Sequence, residues 1–277
     1  MVLRRGDRND SVKTLQRELN KFGAMLLVDG DFGGGTCTAV GSAREQLGRP
    51  GPLDVADDEL QQAVAEAPDP CPPLTAAGVT FIAREEVSDA TAYQRRYQVP
   101  TCPPAPSGVT IGIGYDCRFV DRPEFESDWG DLLPASAMTQ LAGVLGKEGT
   151  PALLGPLADV VVPLPAAMRV FATRSLPKYL AQTRSIYPQV DDPGLTPAQR
   201  TALVSLIYNR GTDLAGDRRL EMRAIRDLLA AGRNDEVAAQ FESMTRLWNP
   251  ETTGGLIRRR RSEAMLWRAG FAALHLE

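Results

Sequence analysis

Histidine is almost missing from this chain: His275 is the only one in 277 residues. Most His-centred chemistry is thereby excluded, since a Ser-His-Asp triad or Cys-His pair forms only if His275 folds back into a cleft. Cysteine is scarce as well, and Cys37, Cys71, Cys102 and Cys117 show no CxxC or zinc-ligand spacing. A zinc site would need an unusual ligand set. No apolar run nears the roughly 20 residues that cross a bilayer. The net charge is -4, whereas a partner that neutralises nucleic-acid phosphates needs a basic face. The opening Met1-Val2-Leu3-Arg4-Arg5 is basic but leads into no apolar segment of a secretory leader. The expectation is synthesis in the cytoplasm without a signal peptide, with any work outside the cell needing a separate exit route. Chemistry, if present, must run on carboxylates, hydroxyls or lysine, with neither metal nor cofactor expected.

What is present is an ordinary globular composition, 43% hydrophobic and 24% charged, long enough for two domains. Apolar residues at Val12, Leu15, Leu19 and Phe22 have helical spacing, with Asp10 as the expected N-cap and Gly23 as the stop. A glycine-dense turn from Asp29 to Gly35 feeds a second helix, for which Thr36 is the expected cap. A third helix is expected from Asp57 to Val64. Together they predict a small three-helix bundle over residues 1–67.

The pattern Gly6…Val12-x-x-Leu15-Gln16-x-x-Leu19, followed by Asp29-Gly30-x-Phe32-Gly33-x-x-Thr36-x-x-Ala39-Val40, resembles the peptidoglycan-binding domain of cell-wall hydrolases. The resemblance implies wall contact by Asp29, Phe32 and Thr36. Ala43-Arg44 stands where that family carries an aromatic-Gln pair, a departure expected to weaken the core or alter the groove. Residues 68–78, centred on Pro68-Asp69-Pro70-Cys71-Pro72-Pro73, read as a semi-rigid extended linker.

Beyond the linker, Thr80 to Val87 predicts a helix, and a proline-rich run leads into Gly108-Val109-Thr110-Ile111-Gly112-Ile113-Gly114-Tyr115-Asp116. Its β-branched alternation predicts a strand whose Gly112 and Gly114 leave one face bare, as at a close approach by backbone or ligand. Cys102 and Cys117 flank it; an oxidised pair would add about 3 kcal/mol in the chain-entropy model, and two buried thiols are the equal alternative. From Pro134 onward the chain reads as helical. Thr196-Pro197-Ala198-Gln199 forms a capping box that starts a helix ending near Gly211. Further helices are expected over Glu221–Ala231, Val237–Trp248 and after Gly255. A small β lobe beside a larger helical lobe, with a cleft between them, is the expected architecture.

Glu86 at the end of an apolar helical stretch, Thr110 and Asp116 are the candidate acid, water-holding hydroxyl and second carboxylate for glycoside hydrolysis, which needs two such groups across the bond. Glu86, Tyr93 and Thr110-Ile111-Gly112-Ile113-Gly114 resemble the Glu-Asp-Thr site of phage-type lysozymes. Those enzymes carry their Asp where this chain has Arg95, and Asp116 is closer to the pesticin-like arrangement. Downstream, Ala202 to Gly211 resembles the helix ending in an Asn-x-Gly turn of that family, and Gly255-Leu256-Ile257-Arg258-Arg259-Arg260-Arg261-Ser262-Glu263 its Gly-Leu-x-x-Arg-Arg-x-x-Glu stretch.

The resemblance implies an α+β, mostly α fold: the bundle, then a two-lobed lysozyme-like domain over 79–277. It implies a muramidase acting on bacterial peptidoglycan, inverting, with Glu86, Thr110 and Asp116 catalytic and Tyr115, Asn209 and Arg210 contacting substrate. A monomer without nucleic-acid or membrane partners is expected, either a phage endolysin or a secreted antibacterial toxin. A non-catalytic wall-binding protein is the alternative of a different class. The four arginines read either as a face tied to Glu263 or as contacts to peptide-stem carboxylates. Tyr208 and Trp248 read as core.

Overall fold

The computed structural model describes residues 1–276. The chain is mostly helical, and among the described residues its only sheets are two antiparallel pairs of two-residue strands. Two compact units result, Met1–Pro70 with Ala83–Leu176, and Cys71–Ile82 with Pro177–Glu277.

In the first unit, β1 (Leu3–Arg4) pairs with β2 (Val55–Ala56) and ties the ends of a bundle of α1 (Asp10–Leu19), α2 (Gly34–Gln46) and α3 (Asp58–Glu66). Val12, Leu15, Leu19, Phe32, Val40, Leu60 and Val64 form its core. The cap of α1 is Asn9, whose side chain accepts from Val12 N. Asp10 lies one position inside, paired with Lys13 at 2.9 Å. Gly33 precedes α2, so Thr36 does not cap it; its hydroxyl donates to Asp31 O inside the bundle. The departure at Ala43-Arg44 is absorbed. Ala43 is fully buried, and buried Arg44 reaches Asp57 at 2.7 Å and Val55 O at 3.1 Å. Asp57 also caps α3 through Leu60 N, so the arginine links α2 to the start of α3 where an aromatic was expected.

The chain continues through α4 (Ala76–Val87), α5 (Ala90–Arg96), β3 (Thr110–Ile111), β4 (Tyr115–Asp116), α6 (Arg122–Trp129), α7 (Ala135–Ala142) and α8 (Leu164–Val170). The bundle packs within this unit: a Cβ on Gly23 would sit 2.7 Å from Met168 Cβ, and Arg84 donates to Met25 O. Truncating residues 1–67 would therefore strip packing from α4 and α8 as well as remove a module.

The proline-rich segment folds back on itself instead of extending. Cys71 and Leu74 are buried and bridged, and α4 starts at Ala76. All four cysteines are free thiols, so the Cys102–Cys117 disulfide alternative does not apply. Burial, with Asp116 adding to it, pushes the Cys117 thiol up to about 12, and burial takes Cys71 to about 11. Since the thiolate is the reactive form, a thiol reagent at pH 8 is expected to label partly exposed Cys37 and Cys102 in the native protein, and Cys71 and Cys117 only after denaturation. Mass spectrometry of the labelled peptides reads the result.

The second unit takes most of α9 (Leu176–Ile186) with α10 (Pro197–Arg210), α11 (Leu220–Ala230), α12 (Val237–Ser243) and α13 (Pro250–Ala269). The Thr196–Gln199 capping box is present in both directions. Leu203, Leu206, Ile207, Met222, Ile225 and Phe241 form the core. Helical periodicity divides the four arginines: Arg259 and Arg260 turn inward, and Arg258 and Arg261 stay exposed. The inward pair closes on fully buried Glu263, whose Oε1 lies 2.7 Å from Arg260 and accepts Ser205 Oγ at 2.6 Å.

Candidate active site

The stretch expected to be one strand is a hairpin. Thr110–Ile111 and Tyr115–Asp116 pair antiparallel, and Gly112-Ile113-Gly114 is the turn, with φ of +59° and +71° at its glycines. Positive φ is what demands glycine here. Gly112 moreover faces packing and not open space: its missing Cβ would meet Trp129 at 3.1 Å and Ala167 at 3.2 Å. The bare-faced strand lining a sugar site is therefore corrected to a tight turn. Val109, Ile111 and Ile113 point inward and are buried.

Thr110 stands directly opposite Asp116 in the register. Its own N–H and C=O go to Thr101, while Cys117 N donates to Val109 O. The couple is thus a non-hydrogen-bonded pair, in which Cβ atoms lie about 4.5–5.5 Å apart on one face. Both residues are half-buried. Asp116 is held by backbone: Oδ1 accepts from Gly108 N at 3.0 Å and from Arg118 N at 2.9 Å, and Oδ2 from Gly108 N at 3.2 Å. A side chain on Gly108 would strike that carboxylate at 2.7 Å. Asp116 is in this respect a clasp across residues 108–118, a role that sequence reading missed; Asp followed two residues on by a turn was the available signal. A carboxylate offers about four acceptor sites, so the clasp leaves room for a water.

Glu86 lies in the last turn of α4, half-buried, in the same compact unit as Thr110 and Asp116. Tyr115 does not face a substrate. It is buried, donates to Asp128 Oδ2 at 2.9 Å and packs edge-on against Trp129 at 5.4 Å. Strand alternation sends it to the face opposite Asp116. Asp128, itself buried, meets Arg174 at 2.5 Å, which anchors the hairpin to the segment after α8.

The bundle residues sort similarly. Phe32 is fully buried in the bundle core, and Thr36, almost fully buried, lines the same groove as Asp29. Asp29 is exposed, with Oδ1 accepting from Gln16 Nε2 at 2.8 Å and Asp31 N at 2.9 Å. It borders a groove of about 670 Å³ within the first unit, whose lining includes Leu26, Thr38, Thr91, Gln94 and Leu164. The α5 residues were not anticipated, because nothing in sequence spacing brings 91–94 beside 26–38.

In the second unit, Asn209 and Arg210 end α10 and line a pocket of about 380 Å³ with Asp213, Arg218, Arg219 and Trp248. Trp248 is half-buried rather than core, and the Arg210 guanidinium lies 5.1 Å from its ring centre. Tyr208 packs against Tyr179, with ring centres 4.3 Å apart and planes tilted by 46°.

No curated protein matches the chain. Residues 166–263, just over a third of the chain, match the family described as phage lysozyme. The matched stretch contains Asn209, Arg210 and the Arg259–Arg260–Glu263 cluster, and it does not reach Glu86, Thr110 or Asp116. In that stretch the chain is similar to phage lysozymes, which supports a lysozyme-type peptidoglycan hydrolase.

Proposed function

We propose that the chain is a muramidase that cleaves the β-1,4 bond between N-acetylmuramic acid and N-acetylglucosamine. The similarity of residues 166–263 to phage lysozymes carries this reading. Glu86 donates a proton to the leaving oxygen. Asp116, held in one orientation by the backbone of Gly108 and Arg118, and Thr110 beside it position the water that attacks the anomeric carbon. The reaction inverts, because the second carboxylate acts through water and not as a nucleophile. The N-terminal bundle, with its groove around Asp29, tethers the enzyme to the wall and so raises its local concentration at the substrate. The biological setting that best fits is a phage endolysin; an immunity-like reading frame beside the gene would instead favour a secreted toxin.

The test is the chemistry of the products. Digestion of purified peptidoglycan by the full chain is expected to release muropeptides with reducible N-acetylmuramic acid ends. Proton NMR during the first turnovers is expected to show the α-anomer. Anhydro-muramic ends would replace the hydrolase with a lytic transglycosylase, initial β-anomer would replace inversion with retention, and absence of products would leave a wall-binding protein.

A further inference from the structure

The polar face of the hairpin does not end at Thr110. Thr101 lies on its other side: Thr101 N donates to Thr110 O at 2.9 Å, and Thr110 N donates to Thr101 O at 2.8 Å. A pair that exchanges both bonds has Cα atoms about 5.5 Å apart and its side chains on one face. On its second side Thr110 stands opposite Asp116. Thr101, Thr110 and Asp116 therefore form one row across three adjacent segments, a hydroxyl, a hydroxyl and a carboxylate. All three are half-buried, whereas Val109, Ile111, Tyr115 and Cys117, which alternate with them, are buried. The row is thus the accessible face of the hairpin.

Thr101 presents a defined polarity on that face. Its hydroxyl donates to Thr110 O at 3.3 Å, which commits its one proton and leaves two lone pairs. Thr110 O already accepts from Thr101 N, so the hydroxyl bond is an extra one that the strand pairing does not require. Thr101 is two strand spacings from Asp116, about 9.5 Å, so a water held between Asp116 and Thr110 is out of its reach. The cation that follows Asp116 is also engaged elsewhere, since Arg118 meets Glu148 at 3.1 Å and donates to Pro106 O. The partner that fits Thr101 is a donor on the substrate itself. An amide N–H can only donate, and both N-acetylated sugars of the wall polymer carry one.

We propose that Thr101 is a substrate-contacting residue whose hydroxyl oxygen accepts the acetamido N–H of the sugar bound beside the attacking water. The identity of the sugar rests on the muramidase reading; the row of three side chains and the polarity of Thr101 rest on the backbone register and its hydrogen bonds. The proposal adds a third polar group to Thr110 and Asp116 and assigns it to recognition instead of water activation.

The experiment compares the full chain with Thr101→Val and Thr101→Ser on a soluble tetrasaccharide fragment of the wall carrying its peptide stems. Steady-state muropeptide release gives KM and kcat, and calorimetric titration of Glu86→Gln versions of each chain gives Kd. Valine keeps the branched outline and strand preference of threonine, so the melting temperature is expected to stay close to that of the parent. Thr101→Val is expected to raise KM and Kd about three- to tenfold, the range of one neutral hydrogen bond, with kcat nearly unchanged, and Thr101→Ser is expected to recover most of the loss. A fragment whose acetamido N–H is replaced by an ester oxygen is expected to bind the parent as weakly as the amide binds Thr101→Val. Unchanged KM and Kd in Thr101→Val, a fall in kcat at unchanged KM, no recovery by serine, or equal binding of ester and amide by the parent overturns the proposal. The last comparison needs no variant and so does not depend on how Thr101→Val folds. The two readings separate in the same data: muropeptide release without this binding pattern removes Thr101 and leaves the muramidase, and the binding pattern without release does the reverse.

Discussion

Glu86→Gln is expected to lower clearing of wall suspensions by about 10²–10⁴-fold, the contribution typical of a positioned general acid, with little change in melting temperature. Glutamine keeps the size and hydrogen-bonding outline of the side chain but has no proton to give the departing glycosidic oxygen. Glu86 sits half-buried in the final turn of α4. A loss smaller than tenfold, with the variant folded, would sink Glu86 as the acid. The comparison with Asp116→Asn is informative because the two carboxylates differ structurally. Asp116 accepts backbone N–H groups from Gly108 and Arg118, so its replacement disturbs the hairpin as well as any bound water. Lost activity at Asp116 therefore counts as catalytic only beyond its accompanying loss of stability, and the melting temperature of each variant is measured beside its activity.

The largest stability effect is expected at Glu263. Its side chain is fully buried between Arg260 and Arg259, at 2.7 and 3.5 Å, and accepts the Ser205 hydroxyl. Burial raises its carboxyl, while the two guanidiniums and Ser205 pull it back down. Glu263→Leu would take a carboxylate away from two buried guanidiniums, a change that costs about 3–5 kcal/mol when one partner of a buried pair is removed. At about 2–4 °C per kcal/mol for a chain of this size class, calorimetry should record a fall of about 10 °C. Arg261→Gln, one residue along the same run but exposed, should change stability by less than about 0.5 kcal/mol. Equal effects at the two positions would mean that the buried network is not what holds α13 against α10.

Local chemistry was readable without coordinates wherever one residue and its near neighbours decide the outcome. The Thr196–Gln199 capping box, the stop at Gly23 with its φ of +77°, and the apolar stripes of α1, α10 and α11 followed from spacing and capping. So did the arginine-glutamate spacing of Arg259, Arg260 and Glu263, which lies inside the match over 166–263. Cap positions slipped where a neighbouring contact claimed the expected side chain: Asn9 caps α1 while Asp10 pairs with Lys13 one turn on, and Gly33 precedes α2 while Thr36 bonds Asp31 O and Gln16.

What sequence could not decide was which way a side chain turns once the chain closes on itself. Gly112 and Gly114 are glycines because a three-residue turn needs positive φ and Trp129 crowds it, a fact set by α6 and α8. Tyr115 and Asp116 are neighbours, yet the pleat buries one on Asp128 and leaves the other opposite Thr110. Four consecutive arginines look alike in sequence, and the 3.6-residue period of α13 against a buried Glu263 makes two of them structural. Elsewhere Arg246 claims Asp217 and Glu221 across 25–29 residues of chain. Pairings at such separations are selected by the packing of whole helices, which no local pattern encodes.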